Sequence, residues 1–184
     1  MEIKSEGIIL WVVPYGEEGE VASVFTPHGL VSLIRKRRTG KTPLSPLTRC
    51  EFIWKEGKGE MGTLKEVSLH NPYLSLRGRL ETLESAMECL QAVRQALIGA
   101  APAEPLFHLL DGILQRLAES ADPRAFSSLF YLKLLIHEGL LDLDCLDADM
   151  ASLALARSFS SLLRTTFPRE FHDRVQRLFQ ESIF

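Results

Sequence analysis

Apolar positions in the first 70 residues come in short runs separated by turn chemistry. "GIILWVV" (7–13) is a β-branched and aromatic run that stops at Pro14, and "PYGEEG" supplies a turn. "EVASVFT" (20–26) alternates loosely, with Val21, Val24 and Phe25 as candidate inward residues, and "PHG" ends it. "LVSLI" (30–34) follows and leads into a basic stretch. "CEFIWKEG" and "GTLKEVSL" flank "EGKGEMG", a Gly-rich connection of hairpin type. Five short strands so spaced predict a small, closed or nearly closed β-barrel.

The period changes at "HNPYLSLRGRLE". From Leu80 the apolar residues recur at helical spacing: Leu80, Leu83, Met87, Leu90, Val93 and Leu97. "GAAPAEP" breaks this helix. A second is predicted over Leu106–Leu117. In "ADPR", Asp122 is placed as an N-cap and Pro123 at the first helical position. A third helix is expected over about Arg124–His137, with Gly139 at its C-terminal cap. Two more are expected, over roughly Asp149–Thr166 and Arg169–Glu181. The fold class is therefore α+β in sequence order: an all-β domain at 1–78, then an α-helical domain at 79–184. No internal repeat occurs, and no linker is rich enough in Pro or Ser to separate the halves as independent beads.

Composition narrows the function classes. The chain has 184 residues, 46% of them hydrophobic, with formal net charge −3. That is enough to bury a core, and it is incompatible with low-complexity disorder. No apolar run is long enough to span a bilayer, and "MEIKSEG" lacks the charged-then-apolar order of a signal peptide. A soluble, cytoplasmic protein is the expectation. Cys50, Cys89 and Cys145 lie far apart with no CxxC, which speaks against a paired-cysteine zinc site and against a disulfide framework.

Charge is uneven. Residues 1–79 hold 12 Lys and Arg against 9 Asp and Glu (+3), and residues 80–184 hold 9 against 15 (−6). The segment "SLIRKRRTGKTPLSPLTR" (32–49) holds Arg35, Lys36, Arg37, Arg38, Lys41 and Arg49 and no acidic residue. Gly40, Pro43 and Pro46 keep it from being helical. A cationic arm beside a five-stranded barrel points to phosphate backbones, whose neutralisation releases counterions. Such barrels also take single strands on aromatic platforms. Trp11, Tyr15, Phe25, Phe52 and Trp54 are the candidate aromatics, with Tyr15 in its turn the one expected to be exposed.

Reaction chemistry finds no foothold. His28, His70, His108, His137 and His172 form no HxxxH or HExxH spacing. There is no GxxxxGK[ST] loop and no GxSxG elbow. Glu17, Glu18 and Glu20 read as a solvated turn. "DLDCLDAD" (142–149) lacks the central Gly and final Glu of a calcium loop and reads as a polar connector that caps the next helix. No enzyme, no cofactor and no metal are expected.

The order of motifs resembles the bacterial RecO family of recombination mediators. The resemblance is carried by Glu6-Gly7, Pro14-Tyr15-Gly16-Glu17, Phe25-Thr26, Gly29 and the basic segment Arg35–Lys41. It continues through "GKG" at 57–59, "LKEVSL" and "LSLRGRLETL", and "LFYLKLLIHEGL" is similar to the family's central helix. Coverage is about residues 1–141. The basic segment departs from the family's usual Ala-Lys-Gly-Ala-Arg pattern. A four-cysteine zinc module common in the family is not expected, since only Cys145 lies in that region.

The resemblance implies an OB-fold barrel followed by a helical domain, and a non-enzymatic, nucleoid-associated role in DNA repair and recombination. It implies binding of single- and double-stranded DNA, strand annealing, contact with the acidic C-terminal tail of single-stranded DNA-binding protein, and work with RecR to load RecA. Arg35, Lys36, Arg37, Arg38, Lys41 and Arg49 are the expected DNA contacts. Arg124 and Lys133 are the expected cations for a protein tail. A protein–protein scaffold and an RNA-binding OB protein are the alternatives.

Overall fold

The computed structural model describes the chain apart from residues 37–42, 58, 60, 98–102, 157, 158, 166 and 184. Two compact units result: Met1–Leu74 with Leu97–Phe107, and Ser75–Ala96 with His108–Phe184.

The first unit is a closed barrel. Its strands are β1 (Glu2–Tyr15), β2 (Gly19–Thr26), β3 (Gly29–Lys36), β4 (Thr48–Lys55) and β5 (Met61–Asn71). They run β1-β2-β3-β5-β4 around the barrel, and β4 closes back on β1. Only β3 and β5 pair in parallel; the other neighbours are antiparallel. This is the OB-fold. Closure leaves no full sheet edge exposed.

Closure depends on the length of β1. The hydrophobic run marked only its middle, whereas the strand covers 14 residues. Glu2–Ile9 pair with Lys55–Thr48, and Ile8–Tyr15 pair with Phe25–Gly19. One strand thus serves two neighbours, with a register shift between Ile9 and Trp11 where it turns from one to the other. Pro14 does not end it, because Pro14 stands opposite Glu20 near the end of the β1–β2 hairpin.

Inside the barrel lie Ile9, Ala22, Val24, Leu33, Leu44, Cys50, Phe52, Trp54 and Leu64. Two of the three expected inward residues of β2 are therefore reassigned. Val21 alternates away from Ala22, and Phe25 sets its ring 5.8 Å from Phe107. That contact, with the Ala103 N–H donating to the Pro27 carbonyl at 2.9 Å, gathers Leu97–Phe107 into the barrel unit.

The second unit is helical: α1 (Leu80–Ala96), α2 (Glu104–Arg116, from His108 on), α3 (Pro123–His137), α4 (Ala148–Leu155), α5 (Phe159–Leu162) and α6 (Phe171–Ile183). The centre is α3, buried around most of its circumference and packed on α1 and α6. Both of its ends match the sequence. The Asp122 carboxylate accepts from the Ala125 N–H at 3.1 Å, with Pro123 in the first turn. At the other end Gly139 takes φ 68°, its N–H donates to the Ile136 carbonyl, and the Leu140 N–H donates to Leu135. Those are the two bonds of a Schellman cap.

The face of α1 differs from its apolar periodicity. Leu80 is exposed, and the buried stripe is Thr82, Ser85, Ala86, Cys89, Leu90, Ala92 and Val93. Small residues let α1 and α3 approach closely, and apolar spacing alone does not register them. The long helix expected over 149–166 appears instead as α4 and α5. As expected, "DLDCLDAD" caps its neighbour, with Asp147 accepting from the Met150 N–H at 2.8 Å.

Candidate nucleic-acid interface

Strand alternation sorts β1–β3 into two faces. On β2 the residues Glu20, Ala22 and Val24 point inward, and Gly19, Val21 and Ser23 point outward. The register then builds rows across the outer surface. Trp11, Ser23, Ser32 and Met61 form one row. Val13, Val21, Ile34 and Thr63 form the next. Tyr15, Gly19 and Lys36 form the last, at the rim. Trp11 is 42% exposed, Val13 40% and Tyr15 51%. An outer sheet face of this composition offers flat, apolar contact area with a cation at one corner.

The five candidate aromatics divide accordingly. Phe25, Phe52 and Trp54 are buried, and Tyr15 is exposed as expected. Trp11 joins Tyr15 on the outer face. Its alternation with Val13 and Tyr15 was the signal in the sequence, hidden by the bulge that sets the register.

A cavity of about 380 Å³ opens at the rim, lined by Tyr15, Glu18, Gly19, Ile34, Lys36 and Thr63 among others. Across the row, Tyr15 and Lys36 both stand opposite Gly19, which has no side chain. The slot lies where Gly19 separates Tyr15 from Lys36 in the register.

The cations of the basic segment fall into different environments. Arg35 Nε donates to Glu20 Oε1 at 2.6 Å, and the two side chains are only 9% and 7% exposed. The lack of acid within 32–49 thus does not leave the segment unneutralised, because Glu20 arrives from the neighbouring strand. Glu20 is accordingly not part of a solvated turn. Arg49 Nη2 donates to Glu6, and its guanidinium lies 5.8 Å from the centre of the Phe107 ring. Lys36 is exposed at the end of β3. Arg37, Arg38 and Lys41 lie outside the described residues.

In the helical unit, Lys133 Nζ donates to the carbonyls of Ala154 at 2.6 Å and Ala156 at 2.8 Å. It satisfies the C-terminal end of α4, and burial lowers its pKa. Arg124 lies 3.7 Å from Glu84, and both are exposed. The fold also brings Ser128 Oγ within 2.9 Å of His172 Nδ1, a Ser–His contact that no spacing in the sequence announced. Ser128 is fully buried and also donates to the Arg124 carbonyl at 3.0 Å. Both bonds are satisfied when the His172 N–H donates to Oγ, which holds the hydroxyl in the packing. Among the described residues no three His, Cys, Asp or Glu side chains gather as a metal site. Among them, too, no helix is long and apolar enough to cross a membrane.

Comparison with known proteins agrees with this architecture. Residues 1–73 match the family described as "Recombination protein O N terminal". The chain is 31% identical over 148 residues to the DNA repair protein RecO of Chlamydia trachomatis serovar L2, covering 78% of this chain and 61% of that protein. It is 32% identical to the Chlamydia muridarum protein of the same name, covering 78% and 63%. A RecO protein of Staphylococcus haemolyticus is 27% identical over 136 residues, covering 71% and 54%. The matches thus span less than two thirds of those relatives' length. A closed barrel of OB topology, the motif order along it and these relatives together place the chain in the RecO family.

Proposed function

We propose that this chain is a non-enzymatic mediator of DNA repair and recombination. In this reading its barrel binds single- and double-stranded DNA and anneals complementary strands. With RecR it would help to load RecA on DNA coated by single-stranded DNA-binding protein. One observation carries the DNA-binding part. Exposed Lys36 closes the row of Tyr15 and Gly19 on the outer face, and the sequence continues from it into Arg37, Arg38 and Lys41. Cations of this kind contact phosphates without regard to sequence. Arg35 and Arg49 are already engaged by Glu20 and Glu6, so they support the surface more than they contribute free charge to it. For the acidic tail of single-stranded DNA-binding protein, Arg124 is the better of the two candidate cations, because Lys133 holds backbone carbonyls.

The experiment is DNA affinity as a function of salt for the wild type and for a variant with Lys36, Arg37, Arg38 and Lys41 all changed to Ala. Each lost phosphate contact on a single strand lowers the log–log slope by roughly 0.7. A drop of roughly 2–3 is expected. An unchanged slope overturns the assignment.

A further inference from the structure

We infer that the rim slot between Tyr15 and Lys36 holds an unpaired nucleotide, its base stacked on the Tyr15 ring and its phosphate against Lys36. This rests on the DNA-binding reading above and deepens it: the site would distinguish single strands from duplex.

The geometry supplies three reasons. First, Tyr15 and Lys36 are each register partners of Gly19, one from either neighbouring strand. Their backbones are therefore two strand spacings apart, roughly 10 Å. The cavity lined by these residues has room for one flat ring, with Ile34 and Thr63 also in its lining. The volume of about 380 Å³ falls in the range of small-molecule sites, about 300–1,000 Å³.

Second, the lining carries both signs of charge, Arg35 and Lys36 with Glu18. A phosphate is attracted to the exposed Lys36. A base edge suits Glu18, whose carboxylate accepts from exocyclic amino groups. An apolar peptide side chain would fill the cavity and leave both charges idle.

Third, Trp11 and Val13 extend the same exposed face along β1 from Tyr15. Neighbouring bases of a single strand could follow the ring set by Tyr15. In a duplex the base faces are stacked on one another and only their edges reach the grooves, so Lys36 would meet a phosphate while Tyr15 would find no base face to stack on.

The test uses the full chain and fluorescence anisotropy with three labelled probes of equal length: a mixed-sequence single strand, its blunt duplex and an abasic single strand. Tyr15→Ala is expected to weaken single-strand binding roughly tenfold and duplex binding by no more than about twofold, with the salt slope unchanged, because stacking releases no counterions. Tyr15→Phe keeps the ring and should keep the affinity. Wild-type protein should bind the abasic strand roughly tenfold more weakly than the normal one, a result that needs no variant to fold. If the wild type binds DNA but treats abasic and normal strands alike, or Tyr15→Ala lowers single-strand and duplex binding equally or not at all, the slot assignment falls and the DNA-binding reading stands. If the wild type binds none of the probes, both fall.

Discussion

Arg35 and Lys36 are adjacent on β3 and both line the rim cavity, yet Arg35 is held by Glu20 at 2.6 Å, nearly buried, and Lys36 stands exposed beside Gly19. The pairing with Glu20 thus divides a run of cations into structural and available members. Arg35→Met removes the ion-pair partner of the buried Glu20 carboxylate and should destabilise the barrel by about 3 kcal/mol. Lys36→Ala removes no packed contact and should change stability by less than about 0.5 kcal/mol while lowering the salt slope of DNA binding. Urea unfolding of the two variants beside one binding titration separates these roles. Equal stability losses would refute the division.

Gly19 is the second residue on which the rim depends. A Cβ there would sit 2.3 Å from the Tyr15 carbonyl oxygen, a backbone atom at the end of the β1–β2 hairpin. Gly19→Ala should therefore splay the hairpin and cost about 1–3 kcal/mol. It should also weaken single-strand binding. Chemical denaturation measures the first effect. A loss below about 0.5 kcal/mol would mean that the hairpin yields freely and that the close approach has no structural weight.

Much of this was legible in the sequence for identifiable reasons. Turn residues mark the hairpins, and Asp122, Pro123 and Gly139 mark the ends of α3, because capping is local chemistry. What was missed is non-local. The partner of Arg35 is Glu20, 15 positions away, and a register fixes that pairing. The exposure of Trp11 depends on a bulge at Ile9/Trp11 that no composition marks. The burial of Ala86 and Ser85 on α1 follows from close helix approach, which an apolar count overlooks.

The three cysteines differ enough to be told apart chemically. Burial pushes the Cys50 thiol up to about 11 and raises that of Cys89 further, with Glu88 adding to the effect. Cys145 is exposed. Reaction with a disulfide reagent near neutral pH should modify Cys145 quickly, and Cys50 and Cys89 only on unfolding, because the thiolate is the reacting species. Quantifying released chromophore with and without denaturant checks this. Rapid modification of Cys89 in the native protein would contradict its place in the α1 core.

Lys133 gives a pH-dependent prediction with a definite sign. Its ammonium serves the carbonyls of Ala154 and Ala156, and desolvation lowers its pKa below the ordinary 10.5. The unfolded chain therefore binds this proton more tightly than the folded one. Between the lowered value and 10.5, stability rises with pH, and below both values the burial penalty is fully present. Lys133→Met leaves two carbonyls at the end of α4 without their donor and should destabilise the helical unit by about 1–2 kcal/mol at neutral pH. It also removes the titration, so the stability gap between wild type and variant should widen as pH rises through that window. Urea unfolding of both proteins at neutral and alkaline pH measures the gap. A gap that narrows would show that the bonds to those carbonyls outweigh burial in setting the Lys133 pKa, and a gap below about 0.5 kcal/mol at neutral pH would show that Lys133 is not held there in solution.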